Sequence, residues 1–170
     1  MGGELGASYT SAMARAFAVG AVVRIGLIAG TLDISENLIF NAFRHITPGM
    51  IFRYIASGLL GMPAIRGGAG MVTLGVAIHY TIALTWTALY FLAAQRWRLL
   101  TRRPVVCGLL YGAFVYAVMN FAVLPLTRVP HSHAAMSVAS RVSGVLALLF
   151  CIGLTVALLT AREERIADSW

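Results

Sequence analysis

Lysine is absent from this 170-residue chain, acids number six, and only 11% of residues are charged, where a soluble domain carries about 25%. That shortage excludes an ordinary water-soluble globule, because 59% apolar residues cannot be hidden inside so small a body. The mean hydropathy of +0.83 agrees. Cysteine is scarce too: Cys107 and Cys151 form neither a CxxC pair nor a disulfide framework, and helical rise sets them ~10 Å apart in depth, too far for a disulfide. The GxSxG, HExxH, P-loop and dinucleotide-binding patterns are missing as well. No alternating strand pattern occurs, which leaves helices as the way to satisfy the backbone in lipid.

Four apolar stretches are long enough to cross a bilayer at roughly 20 residues per ~30 Å of hydrocarbon. They lie near residues 19–43, 69–93, 104–126 and 141–161. The expected fold is therefore all-α: a single integral membrane bundle of four helices over residues 1–170, with the lipid bilayer as its surroundings. The first stretch carries Arg24, Asp33 and Glu36, unlike the short uncharged core of a cleaved signal peptide, so it is expected to stay in the mature protein. Residues 48–61 are apolar but short and contain Arg53. With Thr47 as a candidate N-cap and Pro48 at the first helical position, they predict a short interfacial or re-entrant helix on the outer side.

All 13 basic residues are arginine, and they cluster at the ends of the apolar runs, where lipid headgroups and the positive-inside effect favour them. No nucleic-acid partner is expected. Arg15, Arg96, Arg98, Arg102, Arg103, Arg162 and Arg165 fall on one side, against Arg44, Arg53, Arg66, Arg128 and Arg141 on the other. The short loop Gln95 to Arg103 holds four of the first group, which predicts cytoplasmic termini.

An ionisable residue at membrane depth marks either a functional site or a buried structural pairing. Arg24 sits close enough to the inner end to snorkel. Asp33 and Glu36 share one helix face with Asn37, above the small residues Gly26, Ala29 and Gly30 that permit close helix contact. Counting from the inner helix ends, Asp33 and His79 both stand ~21 Å up and Tyr116 ~18 Å, while Glu36 and Asn120 stand near 25 Å. Two layers follow: Asp33, His79 and Tyr116 below, Glu36 and Asn120 above, with Arg141 at the outer mouth. In the third stretch Gly108, Gly112, Tyr116 and Asn120 recur every four residues on one face. The seam Asp33, Glu36, Asn37, His79, Tyr116 and Asn120 serves either to lock helix packing by hydrogen bonds or as a proton- or ion-binding site.

No catalytic residue and no cofactor are assigned. A haem site within one chain would need a second histidine at mid-depth, and His79 stands alone there. His45, His131 and His133 lie in the outer loops and form a weak candidate for a metal site without acidic or thiol ligands.

Gly30-Thr31-Leu32-Asp33, the run Ile55-Ala56-Ser57-Gly58-Leu59-Leu60-Gly61, Leu74-Gly75 with His79, Gly108-Leu109-Leu110-Tyr111-Gly112, Val118-Met119-Asn120 and Pro125-Leu126 resemble a family of small uncharacterised bacterial inner-membrane proteins with four spans. The resemblance covers most of residues 25 to 128 and implies a location and a fold without a mechanism. The functional expectation is an accessory subunit or a small transport-related bundle, completed by a second copy or by a membrane-protein partner. The alternative is a membrane enzyme or a haem- or quinone-binding subunit using the Asp/His cluster.

Overall fold

A computed structural model describes residues 2–130 and 137–167, with side chains described at 16–130 and 137–166. Helix α1 spans Gly2–Ala42. It ends in a Schellman turn, in which His45 takes the left-handed φ of 57° and Ile46 N–H reaches back to Asn41 O at 3.1 Å. Helix α2 (Pro48–Leu60) follows. Thr47 has the extended backbone of an N-cap, but its hydroxyl caps nothing; proline at the first position removes one orphan N–H instead.

The chain reverses at Gly61, whose φ of 67° suits glycine, into the short α3 (Met62–Arg66). Helices α4 (Ala69–Arg96) and α5 (Leu99–Arg102) come next. The third span joins α6 (Pro104–Val118), a π-helical stretch (Met119–Val123) and α7 (Leu124–Leu126). The fourth joins α8 (Val138–Leu146), a second π stretch (Ala147–Leu154) and α9 (Thr155–Ala167).

Four helical segments are long and apolar enough to cross a bilayer: Ala16–Ala42, Ala69–Arg96, Pro104–Leu126 and Val138–Ile166. Their outer faces carry large apolar side chains such as Phe121 and Leu126, each at least 80% exposed, which a lipid solvent accommodates and water does not. These are the dimensions of a multi-pass membrane protein, and no strand occurs among the described residues.

The fourth span is longer at both ends than its apolar run. Ser137 caps its start by accepting from Ser140 N–H at 3.2 Å. At its far end Glu163 sits 8% exposed because Arg24 of α1 pairs with it at 2.5 Å. Arg24 therefore crosses to a neighbouring helix, although its side chain stays 58% exposed. Removing Arg24 strands a buried carboxylate. Arg24→Ala should cost about 2 kcal/mol, reduced from the value for a fully buried pair by Arg24's exposure, and adding Glu163→Gln should recover part of it. Thermal midpoints in detergent check this; equal losses in the single and double variants would mean the pair does nothing.

Successive spans run antiparallel. Gly26 of α1 meets Leu84 and Thr87 of α4, while Gly30 meets Ala83 and Tyr80, so α1 and α4 pass at a distance that side chains larger than hydrogen would not allow. The third and fourth spans approach closer still. A Cβ on Gly112 would stand 2.5 Å from the Leu148 carbonyl oxygen, and one on Gly153 would stand 2.7 Å from Gly112 Cα. Between these pairs lies the core of Ile25, Ala29, Tyr90, Ala94, Ile152, Val156 and Ala157.

Helix α2 lies along α4 in the same direction, since Gly49 faces Val72 and Phe52 faces Gly75. With α3 it makes a helical hairpin that is tied to the end of the third span by Arg128 N–H donating to Gly58 O at 2.9 Å.

Candidate functional site

The four-residue stripe on the third span divides in two. Gly108 and Gly112 touch the fourth span, whereas Tyr116 and Asn120, one and two turns further on, line a cavity of about 500 Å³. The spans part there because side chains take the place of bare glycine. The cavity is bounded by all four spans and by α2, and its wall is mainly apolar, with Ile55, Leu59, Ile82 and Leu148 among its residues. Asp33, Asn37, His79, Tyr116 and Asn120 face it, as does Arg141. Five of the six seam residues thus meet in one chamber.

Glu36 is placed otherwise. It turns toward the fourth span, where the Ser143 hydroxyl donates to its carboxylate at 2.5 Å, so it is not paired with Asn120 in an upper layer. Asn120 instead donates through Nδ2 to Tyr116 O at 2.9 Å, which leaves its side-chain oxygen open to the chamber. His79 donates from Nε2 to the backbone carbonyl of Gly30 at 2.8 Å. That carbonyl lies one helical turn, ~4.5 Å, from Asp33. The bond fixes the imidazole against α1 with Nε2 as the donor, because a carbonyl can only accept. Among the described residues, no hydrogen bond or ion pair engages the Asp33 carboxylate.

A second cavity of about 740 Å³ adjoins the first and shares Asn37, Tyr54, Ser140 and Gly144 with it. It forms a vestibule with Arg44 and Arg53 in its wall and no acidic residue. Arg44 donates to Ser140 Oγ at 2.6 Å. Arg53 is anchored by bonds to Gly49 O at 3.1 Å and Gly67 O at 3.2 Å, holding the two ends of the hairpin together.

Both π stretches border the chamber. Leu124 N–H donates to Met119 O and Thr155 N–H to Phe150 O, five residues back rather than four. The Thr155 hydroxyl also donates to Phe150 O at 3.0 Å. Wide turns of this kind are rare and gather at functional sites; nothing in the residue spacing announces them. Of the outer histidines, His45 serves as the α1 terminus, while His131 and His133 lie outside the described residues. No cluster of three metal-ligating side chains occurs among the described residues.

Comparison with family models, with curated proteins and with solved structures found no match to this chain.

Proposed function

We propose that this chain is a small transport-related bundle of a bacterial inner membrane, with cytoplasmic termini, and that its chamber binds a small solute. The observation that carries this is the convergence of Asp33, Asn37, His79, Tyr116 and Asn120 on one cavity, with the Asp33 carboxylate left without a donor among the described residues. Polar groups inside a membrane bundle are costly unless something satisfies them. A purely structural seam would have used its carboxylate in a helix-to-helix bond, as Glu36 does with Ser143.

The vestibule supplies a route from the side opposite the termini, the orientation rests on the arginine excess at the terminal side, and the quoted motifs agree with a bacterial inner-membrane setting. The test replaces Cys107 and Cys151 by serine, places cysteine at Asn120, and applies a small membrane-impermeant thiol reagent to vesicles of known orientation. Labelling from the vestibule side is expected. A thiol reached from neither side, or only from the terminal side, would remove the chamber as a solute site.

A further inference from the structure

The charges along the route are ordered. At the mouth stand Arg44 and Arg53 without an acid; Arg141 and Asp33 both line the chamber, Arg141 nearer its outer end. Among the described residues, neither Arg141 nor Asp33 has a hydrogen bond or ion pair from its side chain. No ion pair joins the two. The Ser143 to Glu36 bond sets the register of the fourth span on the first. Arg141 lies two residues outward of Ser143 and Asp33 three residues inward of Glu36, an axial offset of ~8 Å by helical rise.

His79 acts electrostatically on Asp33 but does not pair with it. Its Nε2 hydrogen goes to Gly30 O, and it forms no ion pair with the carboxylate within 4 Å. Glu36, engaged by Ser143, adds negative charge on the same helix face.

A simple cation would first meet the two arginines of the vestibule. A simple anion would pass them and then meet Asp33 in the chamber wall, in surroundings where charges are poorly screened. The geometry points to a small zwitterion with an apolar body as the chamber's ligand, its ammonium group held by Asp33 and its acidic group by Arg141, the body against Ile55, Leu59, Ile82 and Leu148. This rests on the chamber being a solute site. A volume of about 500 Å³ lies within the range of small-molecule pockets.

The experiment uses the full chain in detergent and three probes with one carbon skeleton: L-leucine, 3-methylbutylamine, which lacks the carboxylate, and 4-methylpentanoate, which lacks the ammonium. The thermal midpoint is followed against probe concentration. Leucine is expected to half-saturate the shift at a concentration at least tenfold below either analogue. Asp33→Asn should weaken leucine and the amine and leave the acid unchanged; Arg141→Gln should weaken leucine and the acid and leave the amine unchanged. An acid as effective as leucine would make the chamber an anion site, an amine as effective would make it a cation site, and no shift with any probe would overturn the assignment outright. If a variant fails to fold, the three-probe comparison on the unsubstituted protein still decides. If Asn120→Cys is labelled from the vestibule yet no probe binds, the zwitterion assignment fails while the chamber stays a solute site.

Discussion

Gly153→Ala is expected to cause a large loss of stability for a single added methyl. Its Cβ would overlap the Gly108 carbonyl oxygen and approach Gly112 Cα and N at 2.7 Å. All three atoms are backbone, so none can swing away; the third and fourth spans must separate along their length. Overpacking of a tight interface costs typically 1–3 kcal/mol and sometimes more, and a contact of bare backbone on bare backbone belongs at the upper end. The control is Gly144→Ala in the same span, where the nearest atom is Tyr116 Cε2 at an ordinary 3.8 Å. Thermal midpoints in detergent should fall sharply for the first and hardly for the second. Matching midpoints would mean that the two spans do not meet through Gly153.

Gly75→Ala should do to the hairpin what Gly153→Ala does to the spans. A Cβ there would overlap the Phe52 carbonyl and stand 2.6 Å from its carbon and 2.9 Å from its Cα, so α2 must lift off α4. Its consequence can be read locally. Ser57 is fully buried, its hydroxyl donating to Tyr54 O at 2.6 Å. In a background lacking native cysteines, Ser57→Cys should resist a membrane-impermeant maleimide, and adding Gly75→Ala should raise its labelling rate at least tenfold. Gly70→Ala, with nothing within 4 Å of its Cβ, should leave the rate unchanged. If Ser57→Cys labels rapidly without any glycine substitution, α2 is not seated on α4.

Much of this arrangement is legible in the residues, and the reason is geometric. Straight antiparallel helices share one ruler of 1.5 Å per residue, so counting from the helix ends set Asp33 level with His79, and the structure bonds His79 to a carbonyl one turn from Asp33. Glycine at Gly26 and Gly30, and at Gly108 and Gly112, announces close approach because only a missing side chain permits it.

What escaped reading depends on partners or on register. Glu36 and Asn120 stand at similar depth, yet depth says nothing of azimuth, and Glu36 faces Ser143 instead. The fourth helix outruns its apolar stretch because Arg24 stabilises Glu163 beyond it, a pairing between residues 139 positions apart. The π stretches leave no trace in composition, since an inserted residue changes the count per turn and not the residue types.

The glycine contact also decides which part of the molecule can yield. Where Gly108, Gly112 and Gly153 press backbone on backbone, there is no rotamer to turn and no methylene to compress, and the third and fourth spans behave mechanically as one plank. The wall made by α2 rests on one such contact, Gly75 against the Phe52 carbonyl, and on hydrogen bonds. Helix α2 turns back at Gly61 and is held to the third span's end by the Arg128 N–H bond to Gly58 O, with Arg53 bridging the ends of the hairpin. Any change in the chamber's width must therefore come from the other elements that line it, because the third and fourth spans cannot shift on each other without parting.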